Sequence, residues 1–327
     1  MRRLKLVAWL ALALASCPAP ALAQQGGYPS RPVKMIIPFA PGGASDFVGR
    51  IMQPKLNELL GQQIVIENRA GAAGNIGMEA AAKSAPDGYT IYLGNIGTIA
   101  INPSVFTNLP VDPIRDFVAV TQVVDVPSVL VANPSLPAGS VREFVAYAKA
   151  NPGKLNYASP GSGSQNRLEM ELLRKLESLN MVHVPYKGGA GPAVTGLVAG
   201  ETQVAFTTAP SAMGQIQGKR IKVLAVTSAK RMHQLPDTPT MIESGYKDFQ
   251  SSSWQGMFVP AGTPRAVVDR LFDVLQQTMK MPEVVERLAS GGVEVALSAS
   301  PKAFADFVAT ESQRWGRVAK ESGATVD

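Results

Sequence analysis

Cysteine is almost missing from this chain: Cys17 is the single one among 327 residues. Histidine is nearly as scarce, with only His183 and His233, fifty positions apart. These shortages exclude a disulfide framework and a cysteine nucleophile for any mature chain that starts beyond Cys17. Two distant histidines without a cysteine cluster also make a poor zinc site, so no metal or other cofactor is expected. Charged residues make up only 17% and aromatic ones 6%. After the N-terminal segment, no run is apolar over the roughly 20 residues that a membrane-spanning helix requires. Basic residues do not gather into a patch either. Lys219-Arg220 and Lys230-Arg231 are short, scattered pairs, whereas a nucleic-acid protein concentrates Lys and Arg on one face. No nucleic-acid partner is expected.

Enzyme signatures are wanting as well. Gly161-Ser162-Gly163 opens a G-x-G pattern without its third glycine, and neither a G-K-[ST] nor a G-x-S-x-G segment occurs. Ser244-Gly245-Tyr246-Lys247 matches S-x-x-K by letter, but the partner motifs of penicillin-recognising enzymes are absent.

What is present begins with an export signal. Arg2, Arg3 and Lys5 precede an apolar run over residues 6–15, and Ala21-Leu22-Ala23 has the small-x-small form of a signal-peptidase site. Residues 1–23 are therefore expected to be removed and the protein to be periplasmic. Leu14-Ala15-Ser16-Cys17 offers a competing reading, a lipobox that would anchor the chain at Cys17. Loss of residues 1–23 takes away three basic residues and no acidic one, leaving 28 basic against 25 acidic, a net +3 instead of +6. A mildly positive surface suits an anionic ligand. About 300 remaining residues exceed what one hydrophobic core ordinarily serves, which implies two domains.

The order of elements indicates an α/β fold. Short β-branched segments at 33–39, 62–67 and 89–93 alternate with helical segments at 45–60 and 75–84. The pattern repeats further on. Ser140 to Glu143 forms a capping box, and strands are predicted at 155–158, 182–184, 203–206 and 221–226, with helices at 164–179 and 192–199. Such alternation builds βαβ units and a mostly parallel sheet. The last third reads as mainly helical, with Thr263-Pro264 and Ser300-Pro301 as helix starts and Phe304, Phe307, Val308, Trp315 and Val318 on one apolar stripe. The expected division is 24–126 and 251–327 in one lobe and 127–250 in the other, crossing back near 251–258.

Chemistry is expected in the turns that follow strands. Phe39, Pro41, Gly42, Gly43, Ser45 and Asp46 lie in or after the turn behind the first strand; Ser159, Gly161, Ser162 and Ser164 occupy the matching place in the second block. Glycine lets a backbone approach a ligand closely, and a helix start presents free N–H groups and a positive dipole end. The same residues also suffice for tight turns with good caps. Two such loops, one per block, would face each other at the carboxyl ends of the strands. Asn95 and Thr98, then Tyr186, Lys187 and Gly188, then Thr208 follow other strands and are further candidates. Arg167 has two readings: a counter-charge for a second ligand carboxylate, or an ion pair with Glu171 one turn on. His183, flanked by apolar residues, reads as a hydrogen-bonded core histidine, and His233 as surface.

These segments resemble a known family. "VKMIIPFAPGGASDF" at 33–47, "VIENRAGAAGNIG" at 65–77, "INPSVF" at 101–106, "YASPGSGS" at 157–164, "VPYKGGAGPAVTGLVAG" at 184–200 and "PAGTPRAVVDRL" at 260–271 are similar, in the same order, to the tripartite tricarboxylate transporter receptors, or Bug-type binding proteins. The resemblance implies a type II periplasmic-binding-protein fold, two α/β lobes with a ligand cleft between them. It also implies a carboxylate held by backbone N–H groups of the loops at 41–46 and 159–164, a monomeric protein, no cofactor, and delivery of the ligand to membrane permease subunits. Three positions depart from the family pattern. Arg167 stands where relatives often have histidine, and Gln203 and Thr207 stand where aspartate is usual, so a ligand amino group would lose a partner. An exported hydrolase, or a sensor that signals to a partner protein, are the other readings the sequence leaves open.

Overall fold

A computed structural model describes residues 27–322; the signal-peptide and Cys17 readings fall outside the described residues. Strands β1 (Val33–Ile37), β2 (Ile64–Asn68) and β3 (Thr90–Asn95) are joined by helices α1 (Ala44–Leu60) and α2 (Asn75–Ala82). The pairings β1–β2 and β1–β3 are parallel, as βαβ units require. After β3, a π-helical turn at Gly97–Ile101 runs into the one-turn helix α3 (Asn102–Val105).

Strand β4 (Phe117–Ala132) then extends over 16 residues and serves two sheets. From Phe117 to Pro127 it pairs antiparallel with β9 (Ser252–Pro260), and from Ser128 to Ala132 with β7 (Val204–Thr208) and β8 (Lys222–Val226). Between β4 and β9 lie α4 (Val141–Ala150), β5 (Asn156–Ser159), α5 (Gln165–Glu177), β6 (Val182–Pro185), α6 (Ala190–Ala199), β7, α7 (Ala209–Gln217) and β8. Strand β9 brings the chain back beside β3. Helices α8 (Arg265–Met279) and α9 (Pro282–Ser290), the two-residue strand β10 (Glu294–Val295) against β4, and α10 (Pro301–Ser322) complete the order. The strands run β2-β1-β3-β9-β4-β7-β5-β6, and the sheet is not mostly parallel as expected, because every pairing of β4 and β9 is antiparallel. Two lobes are thus connected by two antiparallel neighbours, β4 outward and β9 back.

Both faces of each sheet are covered, and the strand period of two decides which side chain goes where. Val33, Met35 and Ile37 pack with α1 and α8, while Ile36 between them joins Tyr92, Phe258 and Phe304 on the opposite face. In the other lobe, Leu130 and Ala132 face Phe144, Tyr157 and Phe206, whereas Val129 and Val131 face Ala193, Leu197 and Met213. Each fully buried Leu, Ile, Val or Phe contributes roughly 1.5–3 kcal/mol. On α10 the anticipated stripe is realised: Phe304, Val308 and Trp315 are buried against Trp254 and Phe258, with Phe307 and Val318 partly buried beside them.

Of the helix starts that the sequence marked, those at Ser164 and Ser300 are capped as expected and two depart. Ser140 accepts from Glu143 N at 3.2 Å, but Glu143 Oε2 accepts from Gly139 N at 2.6 Å, one residue before the reciprocal position of a capping box. Ser300 Oγ accepts from Ala303 N at 3.1 Å and caps α10. At α8 the expectation was wrong by one place. Pro264 is itself the cap position and Thr263 donates its hydroxyl to Pro260 O at 2.7 Å, so no side-chain cap forms.

Candidate ligand-binding site

The first loop joins β1 to α1. Gly43 occupies the cap position with extended backbone (φ −90°, ψ 173°), and Ala44 and Ser45 form the start of the helix. Helix geometry leaves the first N–H groups without intrahelical acceptors, at the positive end of the dipole. Asp46, buried to 5% exposure, braces this loop from behind. Its carboxylate accepts from Gly42 N at 3.1 Å, from Arg50 Nε at 2.9 Å and from Asn68 Nδ2 at 3.2 Å. Asn68 also donates to Phe39 O at 2.9 Å.

The second loop joins β5 to α5. Ser164 caps the helix, its Oγ accepting from Arg167 N at 3.3 Å and donating to Gly161 O at 2.7 Å. Ser159 is fully buried and holds Gly161 through its N–H and its carbonyl, at 3.2 and 3.1 Å. Behind Ser159, His183 Nε2 lies 2.7 Å from the Ser159 hydroxyl, and its ring stacks on Tyr157 with centroids 4.9 Å apart. Burial, with the nearby charges of Arg167 and Arg174, lowers the His183 pKa to about 4. The hydrogen bond is as the sequence indicated, but His183 is half-buried on the edge strand β6 and not in the core.

The two lobes meet over these loops. Ala40 N donates to Gly188 O at 3.0 Å. A Cβ on Gly163 would stand 1.8 Å from Asn102 Oδ1, and one on Gly189 would stand 2.9 Å from the Phe39 ring. A partly open cavity of about 50 Å³ lies there, room for a few water molecules. Of the anticipated residues, Phe39, Gly43, Ser45, Asn95, Ser164 and Thr208 line it. Around it also stand Ala44, Ala73, Ile96, Gly97, Pro160, Gly163, Gln165, Asn166, Ala190, Ser253 and Gln255. None of these lining residues is Asp, Glu, Lys, Arg or His.

The remaining candidates sit elsewhere. Pro41 and Gly42 line an outer groove of about 510 Å³ with Tyr186, whose hydroxyl donates to Glu201 at 2.7 Å. Lys187 is exposed, where a strongly hydrated ammonium costs nothing, and Gly188 closes the lobes by its carbonyl. Thr98 is buried and ties Asn95, donating to Asn95 O at 3.2 Å while its N–H donates to Asn95 Oδ1 at 3.0 Å. Asp46, Ser159, Gly161 and Ser162 shape the loops without lining the cavity. Arg167 turns back on its own loop: Nη1 donates to Ser162 O at 3.1 Å and Nε is 4.0 Å from Glu171. Arg167 does not line the cavity. Nor is Gln203 at the cavity. It lies at the far end of β7 from Thr208, accepting from Asn156 N at 2.8 Å, so its departure from the family pattern does not touch the cavity.

The residues that local reading missed come from two sources. Ser253 and Gln255 lie on β9, opposite Val126 and Val124 of β4, and nothing local marks them. Gln165 and Asn166 had a faint signal, two carboxamides directly after a capping serine. They are 3% and 4% exposed and surround the buried Glu169, whose carboxyl accepts from Gln165 Nε2 at 2.9 Å, from Asn166 Nδ2 at 3.0 Å and from Ser251 Oγ. Burial pushes the Glu169 pKa up, and these hydrogen bonds oppose the shift. Asn166 also donates to Ser128 Oγ at 2.8 Å. The first turn of α5 is thereby tied to both inter-lobe connections.

Comparison with known proteins gives a family. The model of the tripartite tricarboxylate transporter family receptor matches residues 48–324. The chain belongs to that family. Among its relatives, Protein BugT of Bordetella pertussis is 38% identical over 327 residues, covering 99% of this chain and 98% of the other. The solved periplasmic binding protein BugD superposes with a TM-score of 0.87 at 36% identity, over 91% of this chain and 99% of its own. A Rhodopseudomonas palustris protein solved with adipate, Rpa4515, gives 0.88 at 33% identity, over 91% and 100%. The two-lobe binding-protein architecture expected of this receptor family is therefore the observed one. Among the described residues lining the cavity there are amides, hydroxyls and backbone N–H groups, which suit reversible capture of an anion.

Proposed function

We propose that this receptor captures a small carboxylate between its lobes, in the cavity between 39–45 and 160–166, and presents it to the membrane subunits of a tripartite tricarboxylate transporter. One observation carries the reading. The starts of α1 and α5, one from each lobe, converge on a single cavity that no ionised side chain lines. Carboxylate charge is then met by backbone N–H groups and two helix dipoles, each charge-assisted hydrogen bond contributing roughly 1.5–3 kcal/mol. The adipate held by the R. palustris relative supports the ligand class.

Residues 24–126 and 251–327 form one lobe in this reading and 127–250 the other, with β4 and β9 as the flexing pair. The mature protein is a periplasmic monomer beginning at Gln24, after removal of 1–23. Mass spectrometry of the exported protein checks the terminus; a diacylglyceryl-modified Cys17 would refute it. A thermal-shift screen of mono-, di- and tricarboxylates tests the ligand class. A ligand at a hundred times its Kd stabilises the folded protein by about 2.7 kcal/mol. If no carboxylate raises the melting temperature, the reading is wrong.

A further inference from the structure

Two polar atoms at the cavity have no hydrogen-bond partner among the described residues. Gln165 Oε1 and Gln255 Oε1 are buried without a hydrogen bond, in side chains 3% and 1% exposed, and both residues line the cavity. They reach it from different elements, Gln165 from the first turn of α5 and Gln255 from β9, where it pairs with Asn95. An unsatisfied buried acceptor costs roughly 1–3 kcal/mol, so a retained pair calls for a donor from the occupant.

The orientation of Gln165 is set by its neighbour. The Gln165 N–H2 group donates to Glu169 Oε1 at 2.9 Å. That leaves the carbonyl end turned away from Glu169. The carboxylate reading accounts for one end of a ligand, at the helix starts; these two oxygens concern the other end.

Resting on that reading, we propose that Gln165 and Gln255 set ligand choice, by selecting a monocarboxylate that carries an uncharged hydrogen-bond donor, a hydroxyl or a carboxamide, over a doubly charged dicarboxylate. A hydroxyl donates to a carbonyl oxygen, whereas a second carboxylate brings only acceptors against acceptors. Preference for a donor-bearing ligand would separate this receptor from the relative that was solved with adipate.

The test is calorimetry on the mature protein with butyrate, 4-hydroxybutyrate and succinate. The expected order places 4-hydroxybutyrate roughly three- to tenfold tighter than butyrate, the range of one net hydrogen bond, and succinate weakest. Gln255→Leu and Gln165→Leu should each lower the ratio of 4-hydroxybutyrate affinity to butyrate affinity. Glu169→Gln frees Gln165 to turn its N–H2 group inward, and should raise succinate affinity relative to 4-hydroxybutyrate; circular dichroism identifies any variant that fails to fold, and the others then decide. Succinate binding at least as tightly as 4-hydroxybutyrate to the unaltered protein overturns the inference and leaves the carboxylate reading standing. Failure of all three probes also overturns it, and the broader reading falls with it only if the wider carboxylate screen is silent too.

Discussion

The Ala40 amide of one lobe donates to the Gly188 carbonyl of the other across 3.0 Å. That bond joins two loops that each follow a parallel strand, and it exists only while the lobes are together. The structure therefore describes the closed arrangement, and its consequences are clearest at the glycines along the same seam.

Gly163 is one of them. A Cβ there would stand 1.8 Å from Asn102 Oδ1 and 3.2 Å from the Phe106 ring, both across the lobe boundary. The open form does not feel this clash. Overpacking of about 1–3 kcal/mol, charged to the closed form alone, should weaken ligand binding roughly 5- to 150-fold in Gly163→Ala. Small-angle scattering should show the unaltered protein contracting with ligand and the variant contracting less. Equal contraction and equal affinity would contradict this account.

Gly43 is the opposite case. Its backbone is extended, open to any residue, and an added Cβ meets nothing nearer than Ala40 O at 3.9 Å. Gly43→Val should keep its melting behaviour within about 1 kcal/mol and still lose carboxylate affinity by at least about tenfold, because the side chain occupies space beside the cavity. A variant that binds normally by calorimetry would move the site away from this loop.

Arg167→Ala distinguishes the two readings of that residue. A counter-charge at the ligand would make dicarboxylates suffer and monocarboxylates not. With its guanidinium on Ser162 O and near Glu171, removal should instead loosen the 159–164 loop and weaken both classes by a similar factor. Selective loss of dicarboxylate binding would restore the counter-charge role.

His183 predicts a pH effect on stability. Its folded-state pKa is lowered from 6.5 to about 4, first by burial and then by Arg167 and Arg174. Below pH 6.5 the unfolded chain takes up a proton that the folded one refuses, so unfolding is favoured as pH falls. The His183 contribution is fully present above pH 6.5, declines between 6.5 and 4, and changes no further below that. Urea melts at pH 7 and pH 5 should show this loss, and His183→Gln should flatten the difference. An unchanged slope in the variant would assign the effect to other groups.

Local chemistry was legible to the extent that it is local. The Ser164 cap, the apolar stripe of α10 and the two glycine-bearing turns all depend on residues within a few positions of one another, and the structure places them as the sequence suggests. Thr263 misled because its hydroxyl lies one place before the cap position and donates to the Pro260 carbonyl instead of accepting from a helix N–H. Strand β4 was not legible at all. Asp125 and Pro127 interrupt its pattern like a boundary, yet the strand continues through them, since β9 pairs with its first part and β7 and β8 with its second.

By itself, then, the sequence determined the alternation of strands and helices, the family, and where backbone N–H groups would be offered to an anion, because caps and βα turns are encoded in neighbouring residues. Tertiary structure alone decided which side chains complete the cavity. Gln255 and Ser253 arrive on a strand more than a hundred residues from the first loop, and Arg167, bonded to its own loop, does not line the cavity. Pairing between distant strands and the closing of two lobes are properties of the folded whole, so no local pattern announces them.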